Sequence, residues 1–328
     1  MVSSNERLVI YDIIFISSRS LYVFTASDHA IVSCREHVSM GGQRTTYSIH
    51  NKIYHNLIHT KLCYSEKARL LCSIASGRVI YGWDIDGSIP LFHLARHSDF
   101  VTDFVAIDDV GCFCTCSMDK RIVLWSTSTR RVKGVLVGHK RGVRTMDKFK
   151  TLLISTAFET EGRLWDTSNK ECIAILRGHR KNLTAAKLMC DRASSPEDYR
   201  AITVDEDGEL RLWSIFIKEK TSEPYQCPVL QTFEMQNRTY PMCQIRFLAI
   251  PNNPKRSTSY YSNLIACSTK LMEFLPEKNA KEFVPPTCMV YNDPVGTFLN
   301  RFFRSVFFVI IMSIRYAIIK FIISIKVS

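Results

Sequence analysis

Short apolar runs broken by polar turns set the rhythm of this chain, and such runs predict β-strands. Residues 8–16 (LVIYDIIFI) read as one strand, and residues 21–34 as a strand, a turn at Asp28 and a second strand. Residues 89–94, 131–137 and 171–176 read as further strands. Asp86-Gly87 and Asp207-Gly208 are tight-turn signals, because these residue types accept the backbone conformations of short hairpin loops. Polar connections are expected between Arg35 and His50, over 191–199, over 219–228 and over 252–262.

Between residues 96 and 213 the pattern repeats: RHSDFV…TCSMDKRIVLW, GHKRGV…STAFETEGRLW, then GHRKNL…TVDEDGELRLW. Each unit carries a histidine (His97, His139, His179) with an apolar residue four places on (Val101, Val143, Leu183), and closes on a tryptophan (Trp125, Trp165, Trp213). Ten residues before the tryptophan stand Thr115, Ser155 and Thr203; six before it stand Asp119, Glu159 and Asp207. Trp83, with Ser73 ten residues ahead of it, extends the register upstream. In that unit His55 lies eighteen residues before Ser73, as His97 does before Thr115, while Gly77 takes the acid's place. The tryptophans are 42, 40 and 48 residues apart, near the period of ~40–45 residues found in propeller blades.

On these residues the chain resembles the WD-repeat β-propeller family. The GH dipeptide stands at Gly138-His139 and Gly178-His179, and the WD dipeptide at Trp83-Asp84 and Trp165-Asp166. The resemblance implies blades of four antiparallel strands. In each, indole, hydroxyl, imidazole and carboxylate form a hydrogen-bonded chain: His97, Thr115, Asp119 and Trp125 in one blade, His179, Thr203, Asp207 and Trp213 in another. His139, Ser155, Glu159 and Trp165 form a third, in which glutamate replaces the usual aspartate; Ser73 and Trp83 belong to a fourth, partial set. Satisfied buried networks of this kind hold one sheet register. The expected fold is all-β, a WD-repeat β-propeller over residues 1–300 with about six recognisable blades and an incomplete seventh. Strong repeats cover 53–217, degenerate blades cover 7–35 (Cys34 at the tryptophan position) and 241–276 (Phe274 near it), and a partial blade covers 287–300. The worn first blade and the tryptophan-free sixth also resemble the long WD-repeat proteins of cilia and flagella.

The same residue types invite chemical readings that their spacing disfavours. Histidine, acid and hydroxyl suggest a nucleophilic triad, but the set recurs in every unit, whereas an enzyme needs one site. Cys112, Cys114 and Cys116 alternate along a strand, unlike the C-x₂₋₄-C knuckles of zinc sites. Taking Asp205 and Asp207 as the third and fifth positions of a calcium loop puts Ser214 where its bidentate glutamate must stand. No P-loop, G-x-S-x-G or H-E-x-x-H motif is present.

The chain has 328 residues, 46% of them hydrophobic, enough for a large core. Glu6, Arg7 and Asp12 interrupt the stretch a signal peptide would need, and twelve cysteines without a paired framework suit a reducing compartment. Net charge is +12, of which the stretch from Arg301 onward supplies +5 with no acidic residue. No dense basic cluster with interleaved aromatics accompanies this charge, so nucleic acid is not an expected partner.

Residues 301–328 (RFFRSVFFVIIMSIRYAIIKFIISIKVS) form a hydrophobic, basic tail outside the propeller. Its longest charge-free run is ten residues, and Arg315 lies at the middle of the span 305–325, short of the ~20 apolar residues a spanning helix needs. The abrupt change predicts that the blade opening at Thr287 is broken off there, with a membrane anchor as the rival reading. The expected function is a non-catalytic scaffold that binds other proteins through propeller faces and loops, cytoplasmic, in a ciliary or cytoskeletal assembly. A membrane-tethered scaffold and a ubiquitin-ligase substrate receptor are the alternatives. Such receptors commonly carry arginine three residues after the tryptophan, where Asp86, Ser128, Ser168 and Phe216 stand here. No cofactor, metal ion or small-molecule substrate is expected.

Overall fold

Three strands of small and apolar residues, LLCSIA, CFCTCS and LLISTA, carry no charge, and the structure buries every residue in them. The computed structural model describes residues 10–16, 19, 21–26, 30–38, 45–75, 77–87, 89–190, 199–216, 224–233, 244–249, 262–267 and 288–291. These residues form six sheets. The first is β1 (Ile10–Ile16), β2 (Leu21–Ala26), β3 (Ala30–Val38) and β4 (Thr45–Tyr54); the second is β5 (His59–Ser65), β6 (Leu70–Ala75), β7 (Val79–Trp83) and β8 (Pro90–Leu94). The third is β9 (Val101–Ile107), β10 (Cys112–Ser117), β11 (Arg121–Ser126) and β12 (Val132–Val137). The fourth is β13 (Val143–Phe149), β14 (Leu152–Ala157), β15 (Glu161–Asp166) and β16 (Glu171–Arg177), extended by β20 (Tyr225–Gln226). The fifth joins β17 (Leu183–Cys190), β18 (Tyr199–Asp205), β19 (Leu210–Ile215) and β21 (Val229–Phe233). The sixth joins β22 (Gln244–Ala249), β23 (Ser262–Cys267) and β24 (Cys288–Tyr291).

This is an all-β, WD-repeat architecture of four-stranded blades. Chain order and sheet order coincide within each hairpin-linked blade, so burial grades across it. The second strand is covered on both faces. The outer strand is not: β12 is exposed at four of its six positions and β8 alternates half-buried with exposed. That gradient explains why second strands read as continuous apolar runs and outer strands as mixed ones.

Three segments depart from the sequence reading. The polar connection expected between Arg35 and His50 contains most of β4, because Thr, Tyr and Ile suit a pleated strand and an outer strand needs no apolar alternation. The connection over 219–228 contains β20, which lies parallel to β16 with Ala174 opposite Tyr225 and Ile175 opposite Gln226. Cys288–Tyr291, assigned above to a seventh unit, pairs antiparallel with β23, Cys288 opposite Cys267, and is the third strand of the sixth sheet. Phe274 and the tail 301–328 lie outside the described residues.

The chain divides into two compact units, residues 1–158 with 163–173, and residues 159–162 with 174–328. In the first, neighbouring blades share apolar cores. Ile16, Val23, Ile31 and Ile53 meet Leu62, Leu71, Trp83 and Ile85. Cys72, Ile74 and Ile80 meet Phe104, Phe113 and Trp125. Cys112, Cys114, Cys116 and Leu124 meet Val143, Met146, Leu153 and Trp165. In the second unit, Ala201, Val204, Leu210 and Trp213 are buried.

Candidate functional site

The repeated residues meet because hairpin register puts them there. On β10 and β11, Phe113 lies opposite Trp125 and Thr115 opposite Val123. The threonine is therefore one diagonal step from the tryptophan, on the same face. The indole Nε1 of Trp125 donates to Thr115 Oγ1 at 2.9 Å, and that hydroxyl meets His97 Nε2 at 2.8 Å. His97 Nδ1 faces Asp119 Oδ2 at 2.8 Å. Since the indole can only donate and the carboxylate only accept, the hydroxyl donates to Nε2 and the imidazole carries its proton on Nδ1. Burial pushes the Asp119 carboxyl up, but the His97 hydrogen bond and the N–H groups of Arg121 and Ser98 outweigh it, holding it below the usual carboxylate range.

The other units repeat this with variations. Trp213 Nε1 donates to Thr203 Oγ1 at 2.7 Å, and Thr203 meets His179 Nε2 at 2.7 Å. The acid here is not Asp207, which is exposed. His179 Nδ1 faces Asp205 Oδ2 at 3.1 Å, and Asp205 Oδ1 accepts the N–H groups of Asp207 and Glu209. Asp205 ends β18 inside the blade, while Asp207 lies beyond it in the turn; the six-residue offset selects the wrong one of two aspartates. In the fourth sheet Trp165 Nε1 donates to Ser155 Oγ at 2.8 Å, and Ser155 meets His139 Nε2 at 2.6 Å. Glu159 is half-buried and its carbonyl accepts the N–H of Leu183.

In the second sheet Trp83 Nε1 donates to Ser73 Oγ at 2.8 Å. Gly77, in the acid's place, has a φ of 72°, and an added Cβ would stand 2.2 Å from the Phe100 ring. Aromatic cover thus replaces the carboxylate. His55 packs edge-on against Trp83 with centroids 5.4 Å apart, and its Nδ1 meets His59 Nε2 at 3.1 Å. Burial lowers the His55 pKa. Sequence offsets pointed to His55 alone; His59, only 1% exposed, is the more buried of the pair.

These hydroxyls offer no open nucleophile. Thr115, Ser155, Thr203 and Ser73 are fully buried, with the indole already on each oxygen. His179, Asp205 and Glu209 place ligand-type atoms within 4.8 Å of one another, the spacing of a metal group. Their charge is matched internally, by Arg211 on Glu209 and by three donors on Asp205. The three aligned thiols face the core shared with the next blade; Cys112 and Cys114 have sulfurs 3.9 Å apart, which lowers the Cys112 pKa and raises that of Cys114.

A second set of acids escaped sequence reasoning. Asp103, on β9, is buried; its Oδ2 accepts the Met146 N–H of the next blade at 2.8 Å, and its Oδ1 pairs with Lys61 of the preceding blade at 3.2 Å. Asp12 on β1 accepts the Leu62 N–H at 2.9 Å in the same way. The available signal was a lone aspartate inside an apolar run, in IYDIIFI and VTDFVAI.

The family model described as "WD domain, G-beta repeat" matches residues 88–126 and 170–214. The chain is 23% identical over 246 residues to cilia- and flagella-associated protein 337 B of Tetrahymena thermophila, covering 72% of this chain and 19% of that protein. It is 30% identical over 81 residues to coatomer subunit beta'-2 of Arabidopsis thaliana, 24% of this chain and 9% of that one. It is 24% identical over 128 residues to mouse pre-mRNA-processing factor 19, 36% of this chain and 25% of that one. The chain thus spans a quarter or less of each relative. By its repeated motifs, its four-stranded blades and these relatives, the chain carries WD repeats and is similar to WD-repeat proteins, a cilia- and flagella-associated one among them.

Proposed function

We propose that this chain is a non-catalytic scaffold that binds other proteins, acting in a ciliary or cytoskeletal assembly. The carrying observation is that its chemistry-bearing residues are spent inside the blades. The repeated His, Ser/Thr, acid and Trp side chains hold sheet register, which leaves loops and strand edges as the surfaces available to partners. The network residues, with Asp205 in place of Asp207, are structural on this reading. The ciliary part rests on the Tetrahymena relative, the one here whose match runs through most of the chain. Among the described residues no helix is long and apolar enough to cross a membrane, and the scaffold reading needs none.

The test is to express the tagged full-length chain in a ciliated cell. It should stay with the detergent-extracted cytoskeleton and bring down a defined set of proteins. Trp125→Ala, which breaks one blade from within, should lose that set. Carbonate-resistant recovery with membranes would overturn the reading, as would saturable turnover of a small molecule by the purified chain.

A further inference from the structure

The outer edge of the fourth sheet is occupied by the chain itself. Beyond the pairing of β20 with β16, the N–H of Cys227 donates to the Ile175 carbonyl at 3.1 Å and the Tyr225 hydroxyl accepts the Phe216 N–H at 3.0 Å. Pro224 and Pro228 bracket the added strand. Beside it Ala174 is buried and Ile175 half-buried.

The third sheet has the same edge without the cover. The dipeptides Gly138-His139 and Gly178-His179 are 40 residues apart, so Gly134 and Val135 hold the places of Ala174 and Ile175. β12 is the end strand of its sheet, and among the described residues no strand pairs with its outer side. Val132, Val135 and Val137 are 42%, 37% and 69% exposed. Ile175 turns its carbonyl outward to Cys227, and in an antiparallel ladder a residue points its N–H and C=O to the same side. Val135 therefore presents both groups at the open edge. An edge of this kind is a template for a further strand.

Charge indicates what covers it. Lys133 stands exposed on the strand, and Arg130 and Arg131 stand exposed just before it. Lys170 lies across Gly134, where an added Cβ would meet its Cδ at 2.7 Å. Two of these cations are held in place: Lys133 Nζ donates to the Val110 carbonyl at 2.8 Å, and Arg130 sits 4.6 Å above the Phe92 ring. A second copy of a chain of net charge +12 has the wrong sign for this edge.

We propose that the outer edge of β12 is a docking site for an extended, acidic segment of a partner protein, which adds as a strand across Val135 as β20 adds across Ile175. This rests on the scaffold reading and names a surface for it. In such strand addition the backbone supplies affinity and alternate side chains supply selectivity.

The test uses the full-length chain and a fluorescein-labelled, capped nonapeptide alternating glutamate and valine, read by anisotropy. Saturable binding that weakens as salt is raised, with no binding of the lysine-valine counterpart, is the expected result. Methylating alternate backbone nitrogens of the peptide should weaken binding about tenfold, because it removes ladder donors and leaves the charges. Val135→Pro removes an outward N–H and no bond within the sheet; it should keep the melting midpoint and weaken binding to the same degree. Absence of binding by the acidic peptide overturns the proposal. So does equal binding of the methylated peptide, which would reduce the effect to ion attraction, and so does self-association of the chain that the peptide displaces. If the cellular pull-down succeeds while peptide binding fails, this inference falls and the scaffold stands; if the pull-down fails, the scaffold reading falls.

Discussion

Replacing Asp205 by alanine should unfold its blade far more readily than replacing Asp207, although Asp207 is the residue the repeat spacing selects. Asp205 is 1% exposed. Its Oδ2 faces His179 Nδ1 at 3.1 Å, and its Oδ1 accepts the N–H groups of Asp207 at 3.1 Å and Glu209 at 2.9 Å. Removing this acceptor strands a buried imidazole N–H and two backbone N–H groups, at ~1–3 kcal/mol for each one left unsatisfied. Glu209 Oε1 already stands 3.8 Å from His179 Nδ1 and takes over part of the lost contact, so the combined effect should be ~3 kcal/mol. For a unit of ~150–250 residues that is a fall in thermal midpoint of roughly 6–12 °C. Asp207 is exposed, and its loss should stay within ~0.5 kcal/mol. Asp205→Asn should fall between the two, because the amide oxygen still accepts a backbone N–H while its NH₂ opposes the His179 proton. Thermal and urea melts followed by tryptophan fluorescence measure all three. An Asp205→Ala protein that melts within a degree of wild type, or an Asp207→Ala protein that falls as far, would refute the assignment.

Trp125→Ala removes a buried indole and the donor to Thr115; a loss of ~3–5 kcal/mol is expected, read as a lower urea midpoint, and an unchanged midpoint would break the blade assignment. Because Asp119 titrates below its ordinary 3.8 in the fold, its stabilising effect is present above that value and is lost as pH falls through the depressed one. Asp119→Asn should therefore flatten the acid limb of the stability profile below pH 3.8, and identical acid limbs would contradict this. Burial pushes the Cys34 thiol up to about 11 and the Cys72 thiol well above 9.0. The neutral thiols favour the fold fully below pH 9.0, and this contribution is lost as pH rises through the folded values. At pH 8 both should resist iodoacetamide until the chain is unfolded, as peptide mapping would show; rapid labelling of the native chain would contradict their burial.

What could be read from the sequence is what hairpin register determines. In three blades the residue ten before the tryptophan lies opposite the residue two before it: Ser73 opposite Tyr81, Thr115 opposite Val123, Thr203 opposite Arg211. With the five-residue hairpin turn kept constant, a fixed offset along the chain becomes a fixed diagonal in space, and the hydroxyl meets the indole. Asp103 and Asp12 were missed because their partners lie on neighbouring blades, 43 and 50 residues away, and no spacing rule within a repeat reaches that far. β4 and β20 were missed because their sequences carry little of the apolar alternation that identifies a strand.

The acid shows where the offset stops being informative. The turns from Ser117 to Arg121 and from Asp205 to Glu209 have equal length and hold an aspartate at the same third place. In the first, Ser117 Oγ accepts the Asp119 N–H, and Asp119 itself reaches back to His97 and caps the Arg121 N–H. In the second, an aspartate replaces that serine. Asp205 then performs both tasks, accepting the Asp207 N–H as Ser117 accepts that of Asp119, and facing the histidine as Asp119 does. Asp205 and, farther off, Glu209 already flank the His179 Nδ1, so a third carboxylate there would be repelled and Asp207 stays exposed. A blade with serine at the first turn position should use the third-position acid, and a blade with aspartate at the first should not. Asp205→Ser in the present chain tests this: it should transfer the His179 contact to Asp207, restore most of the midpoint lost in Asp205→Ala, and make that stability newly dependent on Asp207. If the Asp205→Ser, Asp207→Ala double variant is no less stable than Asp205→Ser alone, the exchange of roles between the two positions is wrong.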